Sequence, residues 1–153
     1  MSKSAPVLPR TSARYEEDFY AWALSSAALL REKRFSGIDA THLAEEIEDM
    51  GKRERRALES HVRNLILHLL KWKYQPAQRS TSWRQSIRNG RIEIRKILRD
   101  SPSLAGSVAG IGVEEYPAAR ADAIDETGLA DSVFPERFPF PGDELLDAES
   151  WPP

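Results

Sequence analysis

Residues 58–73 read LESHVRNLILHLLKWK, and the fold prediction starts from this stretch. Its large apolar side chains recur at steps of four and three positions, as they do along one face of an α-helix: Leu58, Val62, Leu65, Leu69 and Trp72. Between residues 65 and 70 the remaining sides are also apolar, apart from His68. A helix that is apolar on every side is normally covered by its neighbours. The sequence therefore predicts a central helix from Leu58 to Lys73.

Helical patterns also precede this stretch. The spacing of apolar residues predicts one helix from about Tyr15 to Lys33. Asp39 is a suitable N-cap for a second helix. The apolar residues that follow are expected to face inward: Leu43, Ile47 and Met50. This second helix either continues through Gly51 into the central helix or kinks at that glycine.

Two further helices are predicted after the central one. The first has Ser80 or Ser82 as its cap and an inner face composed of Trp83, Ile87, Ile94, Ile97 and Leu98. The next segment opens at Ser101-Pro102, and its glycines together with Pro117 predict a kink or two short helices. Gly128 is expected to end it in the left-handed conformation.

The last segment, from Leu129 to Pro153, is proline-rich and is predicted to be an irregular strap with one short helix near Asp143–Asp147. We expect its aromatic side chains to pack on the helices. These side chains are Phe134, Phe138, Phe140 and Trp151.

The fold class predicted from these patterns is all-α, a compact and mostly antiparallel bundle of four to five helices with this strap across it. The chain length of 153 residues suits one domain, which we place at residues 12–153 after a disordered lead-in at 1–11. No apolar run is long enough to span a membrane, and there is no cysteine for a disulfide or a thiolate metal site. We expect a cytoplasmic protein.

Charge is distributed unevenly although the formal net charge is only −2. Residues 52–99 hold 14 basic and 3 acidic side chains, whereas residues 100–153 hold 2 basic and 12 acidic side chains. A basic region of this kind can bind nucleic acid or an acidic partner. It can equally be neutralised by the acidic last third of the same chain, and the sequence leaves this choice open.

Candidate chemistry is sparse. His42, Glu45, Glu46 and Asp49 share one helix face, as ligands do in helical metal sites, but with the apolar stripe inward most of this face is expected in solvent. His68 lies in the most apolar stretch, where it is a base, a ligand or a polar core group. Glu46, Asp49 and His68 are thus weak catalytic candidates, and no metal site is predicted. No phosphate loop, dinucleotide fingerprint or nucleophile elbow is present, and no cofactor is predicted.

A row of arginines marks the third predicted helix, at steps of three or four residues: Arg84, Arg88, Arg91, Arg95 and Arg99. This spacing predicts an outer face for nucleic acid or for an acidic partner, with a plain solvated surface as the alternative. Trp72, Tyr74 and Trp83 are interleaved with the basic residues, but both tryptophans fall on inward stripes.

Several motifs together resemble one known family. They are Tyr15-Glu16-Glu17-Asp18-Phe19-Tyr20-Ala21-Trp22, Leu43-Ala44-Glu45-Glu46-Ile47-Glu48-Asp49-Met50-Gly51 and His68-Leu69-Leu70-Lys71-Trp72, followed by Trp83, Ser101-Pro102-Ser103-Leu104, Glu126-Thr127-Gly128-Leu129, Phe134-Pro135 and Trp151-Pro152. The set resembles the bacterial family catalogued as domain of unknown function twenty-nine, from about Tyr15 to Pro153. The resemblance implies a small, cytosolic helical protein and supplies no activity.

Three functions remain in view. The first is a non-enzymatic interaction or regulatory protein with a charge-polarised surface, binding a protein partner or itself. The second is a nucleic-acid-binding protein that uses the arginine row and residues Lys52–Arg56. The third is a metal-assisted enzyme, which requires Glu46, Asp49 and His68 to converge.

Overall fold

The computed structural model describes residues 14–153, and within them the chain forms α-helices joined by short 3₁₀ turns, with no β-strand. The α-helices are α1 (Phe19–Arg31), α2 (Ala40–Tyr74), α3 (Thr81–Asp100), α4 (Val108–Thr127) and α5 (Gly142–Leu146). This confirms the predicted all-α class. No helix within the described residues has both the length and the apolar composition that a membrane crossing requires.

The chain divides into two compact units, and the division falls inside α2. The first unit ends at Gly51, and the second unit is Lys52–Pro153. The predicted lead-in at 1–11 lies outside the described residues. A single domain at 12–153 stays a prediction, and each unit is treated below by itself.

The predicted helix signals account for most of the helix ends. Asp39 accepts a hydrogen bond from the backbone nitrogen of His42 at the start of α2, and Ser80 accepts one from Trp83 at the start of α3. Gly128 ends α4 with φ at 66°, which is the left-handed conformation expected there. The first helix is shorter than predicted, because Asp18 caps it and α1 begins only at Phe19.

At Gly51 and at Pro117, where the sequence left an interruption open, the helix is continuous. α2 runs through Gly51 without a break, and α4 runs through Pro117 after a 3₁₀ segment at Pro102–Ser107. The segment that opens at Ser101 is therefore divided into a 3₁₀ helix and one α-helix, and the α-helix is not split at Pro117. Pro117 and Val113, whose carbonyl loses its usual backbone donor, are both exposed, and water can satisfy that carbonyl.

The predicted central helix is confirmed as the centre of the second unit. The segment of α2 from Leu58 to Trp72 supplies eight of the eighteen buried core residues, more than any other element, and side chains of α3, α4 and the segment after α4 supply the rest. α3 crosses close to α2, because a Cβ atom at Gly90 would lie 3.5 Å from Leu65. Lys71 also lies over the ring of Trp83, so α2 and α3 are antiparallel.

α4 runs parallel to α2 in the same unit. Ion pairs join Arg63 to Asp122 and Lys71 to Glu126, at 2.8 Å and 2.7 Å, in the same order along both helices. The up-down-up order of α2, α3 and α4 explains this direction, because alternate helices of such a bundle are parallel.

The segment Leu129–Pro153, which we call the C-terminal strap, packs on the helices as predicted. Phe134 and Phe140 are buried, and α5 forms close to the expected position. Tyr116 of α4 donates a hydrogen bond of 2.5 Å to the carbonyl oxygen of Pro135. The strap is thus held both by buried rings and by hydrogen bonds to its backbone.

The first unit departs from the prediction at the start of α2. Ile47 and Met50 were expected to face inward, but they are 59% and 62% exposed. His42, Glu46 and Asp49 are instead half-buried. The predicted inward position is therefore wrong for Ile47 and Met50, whereas Leu43 is half-buried, and much of the polar side of the helix faces the interior of the unit.

Candidate functional site

The three residues of the hypothetical metal-assisted enzyme do not form a metal-binding group. Glu46 and Asp49 belong to the first unit and His68 to the second. Within residues 14–153, no three His, Asp or Glu side chains are grouped so that they could hold a metal ion. His68 is half-buried, and its Nδ1 atom lies 2.8 Å from the carbonyl oxygen of Asn64 in the same helix. A ring nitrogen facing a carbonyl acts as a donor, so His68 bonds to its own helix backbone.

Glu46 takes part in a polar cluster within the first unit. Tyr15 Oη donates to Glu46 Oε1 over 2.6 Å, and the Tyr15 ring stacks on His42 with ring centroids 4.1 Å apart. His42 Nδ1 lies 2.5 Å from Asp39 Oδ2, and its Nε2 lies 3.5 Å from Glu16. These contacts explain why the polar side of α2 faces inward here, since Tyr15 provides both a donor and an aromatic surface for it.

The same contacts shift three pKa values. The hydrogen bond to Glu46 raises the pKa of Tyr15 to about 12. The hydrogen bond between Asp39 and His42 lowers the pKa of the carboxyl group and raises the pKa of the imidazole. The cluster therefore favours a protonated His42 beside an ionised Asp39.

The arginine row of α3 is only partly on the outer face. Arg84, Arg88, Arg95 and Arg99 are exposed as predicted, but Arg91 is only 2% exposed. Its placement on the outer face is therefore wrong. The C-terminal strap lies over this side of α3 and supplies the acceptors that the guanidinium needs.

Backbone carbonyls of the strap hold the buried guanidinium of Arg91. Its Nε donates to Leu145 over 3.0 Å, and its Nη2 donates to Glu144 and Ser150 over 3.1 Å and 2.8 Å. Its Nη1 is buried and has no hydrogen-bond partner among residues 14–153. The guanidinium carbon also lies 5.7 Å from the ring centre of Trp151.

Burial lowers the pKa of Arg91, and the carboxylate of Asp147 acts in the opposite direction. An arginine stays protonated over the whole useful pH range. Arg91 is thus a fixed positive charge with only partial compensation. One turn later, Arg95 donates to the carbonyl oxygen of Leu146, so a second arginine of α3 is also attached to the strap backbone.

A cavity of about 250 Å³ lies between α3 and the strap. The residues that line it are Arg88, Arg91, Ile92, Arg95, Ala148, Glu149 and Trp151. A second cavity, of about 270 Å³, shares Arg88 and Trp151 with the first. It is completed by Trp72 and Arg84. We call the two cavities together the arginine groove.

Ion pairs hold several cations of α2. Arg63 and Lys71 of α2 bind carboxylates of α4, as described above. Arg55 likewise pairs with Glu59 at 2.9 Å. In the part of the chain that the structure describes, no carboxylate forms an ion pair with the groove arginines, which are Arg84, Arg88, Arg91 and Arg95. Carboxylates of the acidic last third thus pair with Arg63 and Lys71 of α2, whereas the groove arginines, like the exposed Arg53 and Arg56 of α2, form no ion pair within the described residues.

The aromatic rings of the groove are already in contact with cations and with each other. The guanidinium carbons of Arg79 and Arg84 lie 4.8 Å and 5.7 Å from the ring centre of Trp72. Trp72 and Trp151 have ring centroids 5.0 Å apart. The two rings therefore serve as walls of the groove, and Trp72 is almost fully buried.

The sequence prediction missed the role of the strap in this site. One signal could have revealed it, because Arg91 lies four residues after Ile87 and three before Ile94, within the inward stripe of α3. An arginine in a buried stripe needs acceptors nearby. Which carbonyls would supply them is not encoded in any local pattern.

Comparison with known proteins gives one match. A family model described as "Domain of unknown function DUF29" matches residues 14–151. This confirms the resemblance drawn from the sequence motifs. No curated protein and no solved structure matches the chain.

Proposed function

The chain belongs to the family described as Domain of unknown function DUF29, and we propose that it is a non-enzymatic binding protein whose arginine groove docks an acidic segment of a protein partner. The observation that carries this proposal is the set of groove arginines without a carboxylate partner among residues 14–153. Positive charge that is left uncompensated beside a cavity favours an anionic partner.

The contacts of these arginines favour binding over chemistry. Arg91 and Arg95 donate to backbone carbonyls, and Arg84 lies over a tryptophan ring. Such contacts fix the positions of the guanidinium groups, and fixed arginines recognise carboxylates and phosphates by paired hydrogen bonds. We also propose the cytoplasm as the compartment, since a chain without cysteine is indifferent to reducing conditions.

A protein partner suits the groove better than single-stranded nucleic acid does. Strand binding combines phosphate contacts with bases stacked on free aromatic faces. Here the ring of Trp72 is nearly buried and lies against arginine side chains. Two cations of α2 that could extend a basic track, Arg63 and Lys71, are paired with carboxylates. The exposed Arg53 and Arg56 of α2 form no ion pair among residues 14–153, so the nucleic-acid alternative is kept as an outcome of the test.

The proposal is tested with two fluorescent probes of similar charge, a short polyglutamate peptide and a single-stranded oligonucleotide. The peptide should bind, and its affinity should fall as salt is raised, because exposed charges are screened. The double variant Arg88→Glu, Arg95→Glu should weaken peptide binding by about tenfold or more. Arg99→Glu is the matched control, since Arg99 is an exposed arginine of the same helix that lines neither cavity.

The same variants should then be compared as baits in nuclease-treated lysate of the source cell. A protein partner lost by the double variant and retained by Arg99→Glu agrees with the proposal. If the fluorescence anisotropy of the two probes shows a clear preference for the oligonucleotide, nucleic-acid binding replaces the proposed function. Equal peptide binding by the wild type and the double variant would reject the groove as the docking site.

A further inference from the structure

We propose that the cavity lined by Arg88, Arg91, Arg95 and Trp151 binds the dianionic phosphoryl group of a phosphorylated side chain in that acidic partner. This inference rests on the proposed function and specifies what the groove recognises. It is carried by the three arginines that line one cavity of about 250 Å³, one of them buried.

The size of the cavity restricts the ligand to a small group. Sites for whole small molecules and cofactors usually measure about 300–1,000 Å³. This cavity is smaller and open, and Ile92 and Trp151 add apolar surface to its wall. Such a cavity suits one charged group at the end of a side chain, with the rest of the partner lying outside.

The buried arginine makes the cavity a prepared site. Arg91 is immobilised by three hydrogen bonds to the strap backbone, so little conformational entropy is lost when a ligand binds. Its unpartnered Nη1 shows that the strap satisfies only part of the guanidinium. Arg95 is also attached to the strap, through the carbonyl oxygen of Leu146, whereas the exposed head of Arg88 can adjust to a ligand.

The charge of the cavity favours a dianion over a carboxylate. Three arginines face one lining carboxylate, that of Glu149, and Asp147 adds a second negative charge near Arg91. Phosphorylated side chains carry a charge of about −1.5 to −2 at neutral pH and three acceptor oxygens. Clusters of arginine are a general means of binding phosphorylated segments. A glutamate side chain offers one charge and fewer acceptors to the same donors.

Three peptides of identical acidic sequence test the inference by calorimetry, with phosphoserine, serine or glutamate at the central position. The phosphoserine peptide should bind at least about tenfold more tightly than the glutamate peptide at pH 7.5. That preference should decrease at pH 5, where the phosphoryl group is largely a monoanion because its second pKa is about 6. Inorganic phosphate should also shift the Nε–H resonances of Arg88, Arg91 and Arg95 in a saturable manner.

Variants that replace a charged side chain with a neutral one distinguish specific binding in the cavity from general electrostatic attraction. Arg88→Gln and Arg95→Gln should each reduce the phosphoserine preference by about tenfold. Arg99→Gln, the matched control outside the cavity, should leave it within about twofold. Glu149→Gln should increase phosphopeptide affinity, by about two- to fivefold, because it removes the carboxylate that lines the cavity. A merely misfolded variant does not bind more tightly.

The outcomes distinguish this inference from the proposed function. Equal affinity for the phosphoserine and glutamate peptides, both lost in the Arg88→Glu, Arg95→Glu variant, would overturn the phosphoryl site and leave the acidic docking groove intact. No binding of any peptide would reject both. If inorganic phosphate still shifts the remaining arginine Nε–H resonances in Arg88→Gln and in Arg95→Gln, the anion binds elsewhere. That result would also overturn the inference.

Discussion

Arg91 illustrates how a single residue links the fold to the candidate site. Its charge is placed among core side chains, with Ile87 and Ile94 fully buried on the same face of α3. A buried cation is tolerated only when hydrogen bonds replace its water, and here the strap carbonyls do so. The spacing in the sequence identified the arginine row but placed all its members on the outer face. The burial of Arg91 depends on the strap, which lies about fifty residues further along the chain.

A second residue-scale feature, the pair of Asp39 and His42, gives a prediction about pH. Asp39→Asn should lower the pKa of His42 towards its ordinary value, because Asp39 is the main cause of the increase. Asparagine still caps a helix, so the start of α2 is kept. The pKa is measured from the ring-proton resonances of His42 during an NMR titration. Glu45→Gln is the control, and its effect should be smaller because Glu45 acts only through a weaker charge interaction.

The sign of the accompanying stability change follows from linkage. The raised pKa of His42 means that its contribution is complete below about 6.5 and is lost as the pH rises through the raised value. The lowered pKa of Asp39 means that its contribution is present above about 3.8 and is lost as the pH falls through the lowered value. The pair therefore stabilises the start of α2 most between these two limits. An unchanged His42 pKa in Asp39→Asn would contradict the assignment.

At the scale of the helix, the two glycines near the start of α4 allow a matched comparison. Gly110 is exposed, and an added Cβ would meet nothing within 4 Å. At Gly112, an added Cβ would lie only 3.1 Å from Phe138. The Phe138 ring is itself held by edge contacts to Tyr116 and Phe140. The two positions therefore share helix and residue type but differ in the space beside them.

Gly110→Ala should increase the free energy of unfolding by about 0.5 kcal/mol, because alanine favours a helix more than glycine does. Gly112→Ala should decrease it by about 1 kcal/mol, since overpacking outweighs the same gain. Urea denaturation followed by far-ultraviolet circular dichroism measures both changes. Equal effects of the two substitutions would mean that the strap does not press on α4 at Gly112.

Periodicity predicted which segments form helices, but it did not predict which side of the start of α2 faces inward. The α2 stripe from Leu58 onward is buried as predicted, because large apolar residues repeat there on all sides. At the start of α2 the same rule placed Ile47 inward, and it is 59% exposed. A short stripe of three apolar residues competes there with His42 and Glu46, and the partner that decides between the two faces is Tyr15, on a different element. Periodicity within one helix contains no information about that partner.

At the scale of the whole chain, the separation of basic and acidic segments was visible in the sequence. Which basic side chains the acidic segment pairs with was not. The acidic last third pairs with α2 through Asp122 and Glu126, while Arg91 and Arg95 of the groove bond to the strap backbone. Which basic side chains find a carboxylate depends on which faces meet in the second unit. The sequence alone therefore predicted a candidate arginine face but could not distinguish it from a neutralised one.

The division into two units predicts unequal local stability, which hydrogen exchange followed by mass spectrometry can measure. Every member of the main core cluster lies in the second unit. In the described part of the first unit, Trp22 and Ser26 alone are buried to that degree. Regions with little buried apolar surface open at a smaller free energy than a core does. Peptides from Phe19–Arg31 should thus exchange much faster than peptides from residues 58–72.

The helix α2 provides the internal control for this prediction, because it crosses the boundary between the units without a break. Protection should decrease along this one helix, from Trp72 towards Ala40, although the backbone hydrogen bonding is the same type throughout. A helix whose stability came from its own propensity would show no such gradient, since tertiary packing supplies most helical stability. Uniform protection on both sides of Gly51 would instead mean that residues 14–153 unfold as one cooperative domain, as the sequence length predicts, and that the sparse core of the first unit is no measure of its stability.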